Sequence, residues 1–279
     1  MDLTISRQEK NAILLYQGCG VPGEYDQFFN QINAFSAINI LMMQGQSGER
    51  VRICAEKQAP DKISILRWEK TMEIMELLFT AQCKYARQEA ATNKPLPAHL
   101  ERGDRKVNFD LMCIAGGTVA FTSTTNGHVR DEFLLDKQEP HVLHITVNGP
   151  VPYLDFEGCL HDEYRFRDEQ EVLLPPMLQM TCGPCWIQYH PGLGNVPHYN
   201  IAFTGFGAEL EVVDEKETVL FLNTYAATAA DTLADLVKNK LNAALWKDDN
   251  HIYWKWKSAF RKLALQRLMA IYKTYFGTE

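Results

Sequence analysis

Three short stretches of this 279-residue chain gather residue types that can do chemistry. Arg102-Gly103 offers a planar, permanently charged donor fork suited to phosphate oxygens, beside a residue that lets a ligand approach the backbone closely. Phe121-Thr122-Ser123-Thr124-Thr125 is a run of hydroxyls. Phe166-Arg167-Asp168-Glu169-Gln170-Glu171 sets two carboxylates two residues apart, directly before Val172-Leu173-Leu174-Pro175-Pro176. In an extended segment residues i and i+2 face the same way. Glu169 and Glu171 can therefore share one acceptor site, one carboxylate stabilising positive charge and the other taking a proton. Taken singly, the three stretches also read as a turn, an exposed strand and a solvated acidic loop.

The elements that must position these residues change in texture along the chain. Residues 1–95 read as helical, most clearly over 66–88, where Trp68, Met72, Met75, Phe79, Cys83 and Ala86 recur at steps of four and three and make one helix face. Residues 90–97, with Asn93, Pro95 and Pro97, break that pattern. Segments 107–114, 118–122, 142–147, 151–156, 172–180, 201–203, 209–213 and 218–222 read as strands. They are short and carry many β-branched or aromatic residues between turns such as Gly116-Gly117 and Asn148-Gly149-Pro150. Residues 227–275 turn helical again, interrupted at Asp248-Asp249-Asn250. A helical region (1–95), a strand-rich core (96–225) and C-terminal helices (226–279), packed as one domain, predict an α+β fold rather than a doubly wound sheet.

In this order and spacing, 21 residues from Arg102 to Ser123 and 48 from Ser123 to Glu171, the three stretches resemble the mono-ADP-ribosyltransferases of the Arg–Ser–Glu class. The resemblance covers residues 100–176 and implies a split β-sheet core with NAD as co-substrate and no metal. It makes Arg102 the holder of the NAD phosphates, with Arg105 as the alternative and Gly103 favouring Arg102. Ser123 is catalytic, bracing the glutamate or the nicotinamide ribose, Ser123 and Thr124 help hold NAD, and Thr125 stands where the family's second serine is found. Phe166 is the aromatic of the loop, Glu171 the catalytic glutamate and Glu169 the residue that activates the acceptor. Glu at position 169 implies an arginine acceptor on a target protein. Competing readings are transfer to nucleic acid, hydrolysis of NAD by water, and a catalytically inactive binding module on the same fold. The resemblance also suggests a bacterial effector or toxin.

Composition narrows the field without choosing among these. The net charge of −7 disfavours a general nucleic-acid coat protein. Residues 252–279 carry +5, which leaves −12 on 1–251, a body suited to a cationic acceptor. That tail interleaves basic and aromatic residues and reads as an amphipathic helix on the core, or as a contact for a partner or membrane. The seven cysteines are odd in number and scattered, as suits a reducing compartment. The absence of a basic-then-apolar leader predicts a cytoplasmic protein as made, one that could reach another cell by a route without a signal peptide. Cys182-Gly183-Pro184-Cys185-Trp186 copies a redox tetrapeptide in the wrong context and reads as two buried thiols at a turn. His190 and His198 would complete a zinc set with that pair only at loose spacing. His141 and His144 read as packing or surface residues.

Overall fold

A computed structural model describes residues 2–19, 21, 34–45, 62–92, 99–160, 170–207, 210–238 and 250–277. In chain order the elements are α1 (Arg7–Tyr16), α2 (Ala34–Gln44), α3 (Lys62–Leu66), α4 (Trp68–Ala91), β1 (Leu100–Arg105), α5 (Lys106–Ala115) and β2 (Thr122–Thr125). There follow α6 (Glu132–Leu135), β3 (Pro140–Val147), β4 (Leu154–Asp155), α7 (Phe156–Leu160), β5 (Glu171–Leu174), β6 (Leu178–His190), β7 (Gly194–Phe206), α8 (Glu215–Lys238) and α9 (Ile252–Phe276). The expected α+β class holds. Among the described residues no helix is long and apolar enough to cross a membrane.

The chain divides into two compact units, residues 1–5 with 81–208, and residues 6–80 with 209–279. The second unit is helical. Ser6 caps α1 by accepting from the Glu9 N–H, while the Glu9 carboxylate accepts from the Ser6 N–H, a reciprocal pair that satisfies two end donors. The tail forms α9, with Trp256, Phe260, Leu263 and Leu268 fully buried. Trp256 donates its indole N–H to the Leu222 carbonyl of α8 at 2.9 Å. Two of the tail's basic residues are buried as well. Arg261 donates to the Met42 carbonyl at 2.7 Å, and Lys257 lies over the Tyr253 ring, 4.2 Å from its centroid.

The first unit is built on a seven-stranded sheet in the order β4-β5-β2-β1-β3-β7-β6, with β3 and β7 parallel and the other pairs antiparallel. Its strongest joint is the β6–β7 hairpin, closed where Gly192 and Gly194 take positive φ. Its weakest is between β1 and β2, where the ladder consists of one register pair, Glu101 with Thr125. The sheet is thus split into β4-β5-β2 and β1-β3-β7-β6.

Several elements depart from the sequence expectation, each for a local reason. Residues 107–114 are the helix α5 rather than a strand. Phe109 and Met112, three apart, bury one face, and Gly116 ends the helix in the left-handed region at φ 70°. A short apolar run does not itself distinguish the two forms. Residues 218–222 lie in α8, whose start is capped by Asp214 accepting from the Glu217 N–H at 3.0 Å. Residues 151–156 hold only the two-residue strand β4 before α7 begins at Phe156. The expected strand 172–180 is two strands, parted at Pro175-Pro176 and Met177, whose φ is 67°. Residues 118–121 precede β2 rather than form it, and the described residues of 209–213 are not a strand.

Candidate active site at the seam of the split sheet

Ser123 and Glu171 meet because of strand register. On the β2–β5 ladder Ser123 lies opposite Leu173 and Thr125 opposite Glu171, so Ser123, Thr125 and Glu171 share one face. Ser123 is a diagonal neighbour of Glu171, and its hydroxyl donates to Glu171 Oε1 at 2.5 Å. Gln170, just before Glu171, takes φ 45°, uncommon for a residue with a side chain, and its carbonyl accepts from the Asn126 N–H at 2.9 Å.

Arg102 comes from the other half of the sheet. Beyond the Glu101–Thr125 pair the strands part, and the Arg102 guanidinium donates to the Ser123 carbonyl at 2.5 Å. Its Nε donates to Asp104 Oδ2 at 2.6 Å. Asp104 is buried and also accepts from the Arg105 N–H and the Asn108 amide, each at 2.8 Å. Sequence reasoning missed Asp104, although its position two residues after Arg102 on a strand signals a same-face partner. Arg105 itself is exposed at the end of β1, at the N-cap position of α5.

The remaining expected site residues fall in different places. Thr124 is buried on the opposite face, its hydroxyl donating to the Val172 carbonyl at 2.7 Å. At Gly103 a Cβ would meet Leu134 Cδ2 at 2.7 Å and Val129 Cγ1 at 2.9 Å, so the missing side chain makes room for the covering segment 126–135. Phe166 and Glu169 lie outside the described residues.

The rung that holds Glu171 continues across the seam. Glu171 pairs with Thr125, Thr125 with Glu101, Glu101 with His144 and His144 with Asn200, so these residues share one face. Glu101 is buried; its Oε2 accepts from the Val129 N–H at 2.9 Å, and His128 Nδ1 lies 2.9 Å from its Oε1. Burial by itself would raise the Glu101 carboxyl, but the Val129 N–H and the neighbouring histidines hold it below the usual carboxylate range. Burial pushes His198 down to about 4, helped by the adjacent His144 and His190, and it lowers His144 despite Glu101. Those three histidines and Trp186 form a stacked wall, with His144 4.8 Å from Trp186 and 5.1 Å from His198 between ring centroids.

The cysteine pair is placed otherwise than expected. Cys182 and Cys185 are exposed on β6, with an irregularity in the ladder between them, rather than buried at a turn. Cys185 pairs with Tyr199 while Trp186 pairs with His198, so alternation sends the thiol and the histidine to opposite faces. The Cys182 sulfur lies 4.0 Å from that of Cys113 on α5, whose thiol is pushed up to about 11 by burial and then by Cys182.

No protein-family model matches this sequence, and no curated protein matches it. Among solved structures, the chain is similar to the enzymatic component C2-I of the C2-toxin from Clostridium botulinum at pH 3.0. The TM-score is 0.43 and the identity 11 %, over 75 % of this chain and 44 % of that one. The same component at pH 6.1 gives 0.43 and 12 %, over 71 % and 44 %. Plx2a, an ADP-ribosyltransferase toxin from Paenibacillus larvae, gives 0.38 and 12 %, over 74 % of this chain and 100 % of that one. The chain therefore spans less than half the length of C2-I.

Proposed function

We propose that this chain is an NAD-dependent mono-ADP-ribosyltransferase that moves ADP-ribose to an arginine of a target protein and releases nicotinamide. The reading is carried by one observation: Arg102, Ser123 and Glu171, 69 residues apart end to end, are linked by two hydrogen bonds at the parting of β1 and β2. Their types and order are those of the Arg–Ser–Glu motif.

NAD supplies the ADP-ribosyl group and, in nicotinamide, a neutral leaving group. Arg102, steadied by the buried Asp104, presents a planar fork that fits the pyrophosphate oxygens. Glu171, oriented by the Ser123 hydroxyl, offers a fixed negative charge where positive charge develops on the ribose as its bond to nicotinamide breaks. The acceptor guanidinium is normally protonated and a poor nucleophile. Glu169, two residues before Glu171, is assigned the alignment of that guanidinium and the removal of its proton as the new ribose–nitrogen bond forms. The acidic balance of residues 1–251 suits a cationic acceptor.

Labelled NAD incubated with the protein, a cell extract and RNA tests this reading. Protein-bound label that survives nuclease and is released by hydroxylamine is expected, and Glu171→Gln should abolish it. Label removed by nuclease would overturn the arginine acceptor. Nicotinamide release at the wild-type rate in Glu171→Gln would overturn the role of Glu171, and no turnover of NAD by the wild type would favour a binding module.

A further inference from the structure

Beyond the seam, the rung that carries Glu171 reaches a cluster that ADP-ribosyl transfer does not use. Glu101 Oε1 faces His144 Nδ1 at 3.2 Å and His99 Nε2 at 3.4 Å, and the three donor atoms all lie within 4.8 Å of one another. The His99 and His144 rings are stacked, 5.5 Å between centroids and 24° apart in plane.

From His144 a chain of ring nitrogens leads away. His144 Nε2 lies 2.8 Å from His198 Nδ1, His198 Nε2 lies 2.9 Å from His190 Nε2, and His190 Nδ1 lies 2.7 Å from Asp131 Oδ1. Counting Glu101 at one end and Asp131 at the other, there are four contacts in this chain and three imidazoles. A neutral imidazole carries one N–H, so three protons serve four contacts. When His190 donates to Asp131, His198 to His190 and His144 to His198, the His144 Nδ1 lone pair is left facing the Glu101 carboxylate. Two acceptors face to face need a positive centre between them.

The distances say what kind of centre fits. The three contacts away from Glu101 have ordinary hydrogen-bond lengths, as does the 2.9 Å contact of His128 to Glu101 Oε1, whereas those of His144 and His99 to the same oxygen are longer. A tetrahedral ion with bonds of about 2.0–2.1 Å keeps its ligand atoms about 3.3 Å apart. The spacings of 3.2 and 3.4 Å match that edge. His99 Nε2 and His144 Nδ1 lie within 4.8 Å, and binding would need the half-exposed His99 ring to turn toward His144. The chain to Asp131 is also what a metal-bound histidine requires, since its second nitrogen must be held by an acceptor.

We propose that His99 Nε2, Glu101 Oε1 and His144 Nδ1 bind a divalent transition-metal ion, zinc foremost, leaving the fourth position to water. Two nitrogens and one carboxylate oxygen form a ligand set that zinc accepts. Glu101 Oε2 keeps its bond to Val129, and His128, whose Nδ1 lies 2.9 Å from Oε1 and whose side chain is 94 % exposed, turns outward to admit the ion. The ion would tie β1 to β3 beside the one register pair that joins the half-sheets, two strand spacings, or about 10 Å, from Glu171. It is a clamp on the residue preceding Arg102, and it stands whether or not the chain uses NAD.

The test uses the full chain with Cys54, Cys113, Cys182 and Cys185 changed to Ser, which removes as competing ligands the thiols that are exposed among the described residues and the one outside them. After chelator treatment and dialysis, Zn2+ is titrated calorimetrically, and Co2+ is followed by its visible absorption. One equivalent is expected, with the absorption of four-coordinate Co2+ and a Tm that rises with added Zn2+. His99→Ala, at a half-exposed position, should weaken binding at least about 100-fold without unfolding the protein, and His144→Gln should do the same. Asp131→Asn should weaken it about tenfold, as loss of a supporting contact does. No saturable equivalent, or affinity unchanged in His99→Ala, would overturn the site, whatever the outcome with NAD.

Discussion

The two halves of the split sheet build their polar sites in opposite ways. In β4-β5-β2 the strands are short, and the site arises from near neighbours: Ser123 and Glu171 sit on adjacent strands whose ladder has four register pairs. In β1-β3-β7-β6 the strands run to 13 residues, and the histidine chain draws on positions 144, 190 and 198 through a parallel β3–β7 pair and a long hairpin. The first arrangement is compact and presents chemistry at the seam. The second is laid across a wide face, stacked against Trp186 and partly covered by the segment 126–135. Arg102 is the exception that joins them, a residue of the second half serving the site of the first. A split sheet thus lets one half hold the carboxylate while the other holds the cation, with only one rung fixing their separation.

Changes at the seam should therefore affect activity and leave stability nearly unchanged, while changes on the histidine side should do the reverse. The largest effect is expected for Glu171→Gln, which keeps size and removes charge; nicotinamide release should fall at least about 100-fold with Tm little altered. Ser123→Ala removes the hydrogen bond that orients Glu171 and should lower kcat roughly 10- to 100-fold. Arg102→Lys keeps the charge and loses the fork, so KM for NAD should rise about tenfold, whereas Arg105→Lys should leave it unchanged. An equal effect of both substitutions would break the assignment of Arg102 as the cation of the seam. Gly103→Ala pushes only on the flexible Leu134 and Val129 side chains; denaturant unfolding should register a loss of about 1 kcal/mol. A larger loss there would mean that the covering segment is packed more rigidly than the seam.

Legibility in the sequence followed how local each feature is. The α4 helix could be read from its repeat, since apolar steps of three and four need no knowledge of what covers them. The strands at 142–147 and 201–203 were visible for the same reason, as parts of β3 and β7. The α5 helix is not legible in the sequence because a run such as Leu111-Met112-Cys113-Ile114 suits either form, and a Gly-Gly turn can end a strand as well as a helix. The start of α8 is marked by Asp214 with Glu217 three residues on, a cap signal that the strand-like residues 218–222 mask. The candidate residues Arg102, Ser123 and Glu171 stand out by type, order and spacing, and the structure links them by two hydrogen bonds. Asp104 was hidden because a carboxylate after an arginine is common, and only its burial gives it a task.

By itself, then, the sequence determined which groups are present and which strand face each takes, because alternation along a strand is a property of the backbone. It placed Glu171 directly before a strand at 172–180, whereas the strand that carries Arg102, β1, is in none of the segments that read as strands. Register and strand order were decided only by the tertiary structure. Pairing Thr125 with both Glu101 and Glu171 aligns the row of Asn200, His144, Glu101, Thr125 and Glu171, and a slip of one residue at any joint would send half of it to the other face. The histidines could not be grouped from sequence because their contacts cross the β3–β7 pair and the β6–β7 hairpin, whose alignment is set by packing over the whole face rather than by any residue near them.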